Sequence, residues 1–182
     1  MEQCIGFLEL NSIARGIGAA DAMLKAAMVD LLFARPNCPG KFTVLVAGEV
    51  AAVDASLAAG VNSGEAAVLE NLLIPRLHPT VIQAIQAASP PPVKNALGVI
   101  EFFSITGAIL AADTSVKTAD VYLLDVRLGT GLGGKSFVLL SGDTSAVSQA
   151  VDAGAATGRD MGTLVDSVVI PNPTDSLYAG LL

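Results

Sequence analysis

The sequence contains no tryptophan, one histidine and two cysteines, and aromatic residues fill only 4% of its 182 positions. So few aromatics exclude a base-stacking platform for single-stranded nucleic acid. Charge is sparse at 15%, and the 10 Lys and Arg are outnumbered by 17 Asp and Glu, for a formal net charge of −7. A basic patch that could displace counterions from a phosphate backbone is therefore missing, and no nucleic-acid partner is expected. Long apolar runs are missing as well: Glu101 and Asp113 bracket the greasiest stretch, far short of the roughly 20 apolar residues a bilayer span needs. No membrane partner is expected. Met1-Glu2-Gln3-Cys4 shows no basic leader, and Cys4 and Cys38 make no disulfide framework, which points to a cytoplasmic protein with reduced thiols.

What the chain has in abundance is aliphatic surface. Hydrophobic residues make up 52% and the mean hydropathy is +0.62, which excludes a disordered segment. Apolar surface beyond what one core uses can be covered by further subunits, so an oligomer is the expectation.

The chain is one unit written twice. With an offset of 92, Ile5-Gly6-Phe7-Leu8-Glu9 lies over Leu97-Gly98-Val99-Ile100-Glu101, and residues 6–32 share 13 identities in 27 positions with 98–124. With an offset of 94, Gly40-Lys41 matches Gly134-Lys135, Gly48 matches Gly142 and Gly60 matches Gly154; at 96, Ile74-Pro75 matches Ile170-Pro171. The seam falls near Ser89-Pro90-Pro91-Pro92, giving domains 1–91 and 92–182. Each copy reads β-α-β-β-α-β. In the first, strands are expected at 3–10, 29–34, 41–47 and 69–74, the last stopped by Pro75. Helices are expected from a Ser12 cap to about 27, with Ala20, Met23, Leu24 and Ala27 inward, and over 50–59. A short extra helix at 79–88 is expected in the first copy only. Four largely antiparallel strands with helices over one face make an α+β, ferredoxin-like arrangement in two tandem copies. Three such chains would place six similar units around a ring.

Few residues invite chemistry beyond packing. Cys38 lies in Asn37-Cys38-Pro39-Gly40, a turn rather than a core position. One thiolate cannot hold an iron–sulfur centre, whereas a threefold axis would bring three together. Cys4 begins a strand and reads as a small buried hydrophobe. Gly129-Thr130-Gly131-Leu132-Gly133-Gly134 matches G-x-G-x-x-G, but a strand rather than a helix follows, so no dinucleotide site is expected. His78 lacks the companions a zinc site needs. Glu9 and Glu101 occupy equivalent strand positions in separate copies, too far apart for an acid–base couple, and read as a structural interaction repeated by duplication. With no G-x-S-x-G elbow either, no enzyme is expected.

The doubled pattern resembles the bacterial microcompartment shell protein family in its tandem-domain, trimer-forming type. The resemblance rests on Ile5-Gly6-Phe7-Leu8-Glu9, Ala20-Asp21 with Lys25, Gly40-Lys41, Gly48-Glu49-Val50 and Ile74-Pro75-Arg76-Leu77-His78, with the second copy repeating Leu97-Gly98-Val99-Ile100-Glu101, Ala112-Asp113 with Lys117, and Gly134-Lys135. It implies a homotrimeric, pseudo-hexameric tile that packs against other shell proteins through the edge residues Lys25, Arg76 and Lys117. In the second copy Asn172 stands in the place of that arginine. Asn37-Cys38-Pro39-Gly40-Lys41 resembles the iron–sulfur type found in propanediol-utilisation compartments. This implies that Cys38 from three subunits ligates one [4Fe–4S] cluster per trimer at a central pore, with electron transfer across the shell and enclosed redox enzymes as partners. Asn37, Pro39, Gly40, Thr130, Gly131, Leu132 and Gly133 would then line the pore, flanked by Lys41 and Lys135. Two alternatives remain at this level: a metabolite-pore tile without a cluster, and a ferredoxin-like small-molecule sensor.

Overall fold

The computed structural model describes residues 3–87, 89 and 95–181. They form two compact units, residues 1–77 and 78–182. The expected seam between 91 and 92 lies outside the described residues. In the first unit β1 (Gln3–Leu10), β2 (Asp30–Asn37), β3 (Lys41–Gly48) and β4 (Val68–Leu77) pair antiparallel in the order β2-β3-β1-β4. Helices α1 (Ile13–Ala26) and α2 (Val50–Gly64) pack on one face of this sheet. The second unit repeats the plan with β5 (Ala96–Phe102), β6 (Tyr122–Leu128), β7 (Ser136–Gly142) and β8 (Leu164–Pro171) in the order β6-β7-β5-β8. Its helices on the equivalent face are α4 (Ile105–Thr118) and α5 (Thr144–Asp160). The two-copy α+β architecture read from the sequence is the one that forms.

Alternation explains the layers. Gly6, Leu8 and Leu10 of β1 face the helices, whereas Ile5, Phe7 and Glu9 face the other way. Gly6 sits where any side chain would meet Val53 and Leu57 of α2 within 3 Å, and Gly98 sits likewise beneath Val151 and Leu140. The missing side chain at this repeated position lets the helix lie directly on the sheet. Ser12 and Ser104 cap the equivalent helices, their hydroxyls accepting from the amides of Arg15 at 3.3 Å and Gly107 at 2.8 Å.

Four local expectations give way to tertiary structure. Pro75 does not end β4, which runs on to Leu77. β4 is an edge strand, and its pairing with β1 shifts register between Gln3 and Ile5, opposite Pro75, so a missing N–H breaks no ladder there. Leu24 is exposed; Gly16, Ala19, Ala20 and Met23 form the buried stripe of α1 instead. α2 continues past 59 to Gly64, because Gly60 packs against Met23 and Leu8 rather than ending the helix. The short helix α3 (Pro79–Ile85) forms, but belongs to the second compact unit, and the second copy has its own terminal helix, α6 (Asp175–Leu181). Tyr178 of α6 is buried with Leu97, Leu124 and Leu139 and donates to the carbonyl of Ala96 at 3.3 Å. It therefore covers the sheet face opposite α4 and α5, so helices are not confined to one side.

Replacing Gly98 by valine would drive new methyls into Val151 and Val147. Overpacking of this kind costs about 1–3 kcal/mol, to be read as a lower urea midpoint for the second unit.

Candidate functional site

The chemistry-bearing residue of the first unit sits at the tip of its β2–β3 hairpin. Asn37 is the last residue of β2 and Lys41 the first of β3, and they pair across the ladder. The amide of Gly40 donates to the carbonyl of Asn37 at 2.9 Å, closing a four-residue turn in which the Cys38–Pro39 peptide is cis and Gly40 has a φ of +91°. That backbone conformation suits glycine. Cys38 is a free, half-buried thiol; Pro39 and Gly40 are exposed.

The hairpin is anchored from below by charge. Glu9, near the end of β1, is buried on the face away from the helices, and its carboxylate accepts from Lys41 Nζ at 2.8 Å and from Asn37 Nδ2 at 3.3 Å. The same Asn37 amide also donates to the Thr43 hydroxyl. The second unit repeats the ion pair as Lys135 with Glu101 at 3.0 Å, and Lys135 also lies 5.7 Å from the Phe103 ring centre. The repeated glutamates are thus structural anchors for hairpins, as their equivalent positions suggested. The amide network around Asn37 escaped the sequence reading. The sequence repeats the Glu and the Lys in both copies, which marks the ion pair, but Asn37 and Thr43 are not repeated and left no such signal.

The two hairpins differ at their tips. Between β6 and β7 the connection spans seven residues, and Gly129, Gly131, Gly133 and Gly134 all have positive φ. Thr130, Gly131 and Gly133 are exposed and Leu132 is half-buried. A strand, not a helix, follows this glycine run, as the sequence indicated, so the run does not open a helix whose N-terminus could receive a pyrophosphate. The expected edge residues sit away from the hairpins. Lys25, near the end of α1, pairs with Asp21, while Lys117 in α4 pairs with Asp113 at 2.6 Å. Arg76 is exposed near the end of β4. Asp113 also accepts the backbone amide of His78 at 2.8 Å, and the His78 ring meets the Thr80 hydroxyl at 2.8 Å, so the single histidine serves the start of α3.

Among the described residues no three His, Cys, Asp or Glu side chains converge as a metal site. Cys4 pairs with Gly48 at the far end of β3, a strand length of roughly 20 Å from the hairpin. It is 3% exposed, and burial, with a smaller contribution from Asp54, pushes its thiol pKa up. One chain therefore offers one accessible thiol at the hairpin tip. A soft thiolate is the donor iron–sulfur clusters take, so the residue type fits, and the number fits once symmetry supplies three.

The ion pairs differ in burial: the Glu9 side chain is 9% exposed and Glu101 34%. Lys41→Met strands a buried carboxylate and costs about 1–3 kcal/mol, whereas Lys135→Met costs under about 1 kcal/mol. Urea unfolding of the two variants should show that order.

The BMC domain family matches residues 4–77 and 96–173, one copy in each unit. The chain is 39% identical over 178 residues, 98% of this chain and 97% of the relative, to the bacterial microcompartment shell protein PduT of Citrobacter freundii. The single-copy shell protein PduA of the same organism is 43% identical over 81 residues, covering 44% of this chain and 84% of its own length, as expected of a duplicated unit. Among solved structures, a microcompartment protein from Desulfitobacterium hafniense DCB superposes with a TM-score of 0.95 at 52% identity, covering 98% of this chain and 99% of that one. The chain belongs to the BMC domain family, as a tandem, PduT-like structural shell component of a bacterial microcompartment.

Proposed function

We propose that three copies of this chain, each with shell domains at 1–91 and 92–182, close into a hexagon-shaped tile of a cytoplasmic microcompartment. Its central pore holds one [4Fe–4S] cluster on Cys38 from each copy. The observation that carries this reading is the placement of Cys38: a free thiol at the tip of a short, anchored hairpin, away from the buried Cys4. A threefold axis through such tips gathers three thiolates and leaves one iron without a protein cysteine. When bound, the cluster would accept and return single electrons. The protein's part is to present the thiols, with Asn37, Pro39 and Gly40 shaping one set of pore loops and Thr130, Gly131, Leu132 and Gly133 the other.

At the rim, Lys25, Lys117 and Arg76 would meet neighbouring shell proteins, with Asn172 in place of the second arginine making alternate edges unlike. Enclosed redox enzymes are the partners that an electron path through the tile would serve.

Anaerobic purification with cluster reconstitution, followed by absorption and EPR spectra, tests the assignment. A broad iron–sulfur band at about one cluster per three chains, lost in Cys38→Ser while the trimer persists, is the expected result. Without a band in the parent protein, the chain is a plain pore tile and the cluster assignment falls.

A further inference from the structure

The two hairpins share an ion pair, but only the one bearing the thiol adds a buried amide. The Asn37 side chain is 7% exposed, and its Nδ2 is spent on Glu9 Oε1 and the Thr43 hydroxyl. An ionised carboxylate only accepts, so the NH2 end of the amide must face Glu9, and with Lys41 on the other carboxylate oxygen the orientation is fixed. Oδ1 then points elsewhere, buried and with no hydrogen-bond donor among the described residues. The main chain of Asn37 is held too, since its carbonyl accepts the Gly40 amide. The residue immediately before Cys38 is thereby tied at both its side chain and its backbone.

The second unit supplies an internal comparison. By strand register, Arg35 opposite Thr43 corresponds to Arg127 opposite Phe137, which puts Gly129 in the place of Asn37 and Phe137 in the place of Thr43. The Lys–Glu pair persists there at 3.0 Å, yet Gly129 and Phe137 have no side-chain amide or hydroxyl with which to form the lock, and the loop is a longer run with positive φ at Gly129, Gly131, Gly133 and Gly134. The ion pair is thus common scaffolding for both hairpins, whereas the lock is confined to the tip that carries the thiol.

We propose that Asn37 is a positioning residue for Cys38: locked onto Glu9 and Thr43, it fixes the base of the turn so that the thiol projects in one direction. The proposal rests on the cluster reading for its purpose, though not for its geometry. Three thiolates from three chains must meet one cluster within a fraction of an ångström, and on the strand that leads into Cys38 the side-chain tether at the foot of the turn is this amide, the Lys41–Glu9 pair holding the other strand. Residues that orient metal ligands in this way typically carry about a 10–100-fold share of metal affinity.

The test compares the parent protein with Asn37→Ala and with Thr43→Val, which keeps the shape of the side chain and removes only one acceptor of the lock. Three readouts are taken: trimer size and thermal midpoint; the rate of iodoacetamide capture at Cys38 in iron-free protein, followed by peptide mass; and iron retained after anaerobic reconstitution, with the EPR spectrum of the reduced sample. Asn37→Ala should capture iodoacetamide about tenfold faster and retain roughly tenfold less iron with a broadened or shifted signal, in trimers of unchanged size. Thr43→Val should move the same readouts in the same direction by less. Unchanged capture rate in an assembled Asn37→Ala protein overturns the proposal, and if that variant fails to assemble, unchanged rate in Thr43→Val does so. If the parent binds no iron, the cluster reading falls, and the capture rates still decide whether Asn37 positions the thiol.

Discussion

Everything in each unit is built on a strand that has no free edge. β1 and its copy β5 pair on both sides, so their backbone groups are committed to the ladders and their side chains to two packed faces. A slip of one residue would exchange Gly6, Leu8 and Leu10 for Ile5, Phe7 and Glu9, placing a carboxylate beneath the helices. The helix face needs glycine at Gly6 and Gly98 for close approach, and the other face needs Glu9 and Glu101 to receive the hairpin lysines. Register, helix packing and hairpin anchoring thus follow from one pattern written twice.

Duplication lets the scaffold stay constant while the tips diverge. Both hairpins rest on a Glu–Lys pair, yet one ends in a tight turn with a thiol and the other in an extended run of glycines. The first tip is restricted by hydrogen bonds at its base. The second relies on glycine, and open space surrounds Gly131 and Gly133.

Several features were legible from the residues alone because their causes are local or repeated. Ser12 caps its helix through contacts within one turn, and Gly129-Thr130-Gly131-Leu132-Gly133-Gly134 could be dismissed as a nucleotide loop because the strand after it was visible in the sequence. Other features were misread where a partner element changes the cost. Pro75 lies in a strand because β4 has an outer edge and a register shift opposite that residue. Gly60 stays within α2 because Met23 and Leu8 press on that point from α1 and β1. α6 was missed because its one buried side chain, Tyr178, acquires meaning only against Leu97, Leu124 and Leu139 of the sheet beneath it.

Sequence by itself determined the two-copy organisation, the β-α-β-β-α-β order within each copy, and the position of the thiol in a turn. These depend on periodicity, on capping and turn residues, and on self-similarity along the chain. Tertiary structure alone decided that buried Glu9, Asn37 and Thr43 and half-buried Lys41 form one network. Glu9 lies 28 residues from Asn37 along the chain and is brought to it only by strand β3 pairing with both β1 and β2. A glutamate, an asparagine, a lysine and a threonine carry no mark of one another in a list of residues. Their hydrogen bonds exist because antiparallel pairing places alternate side chains of three strands on the same face, where burial makes each unmet donor or acceptor costly.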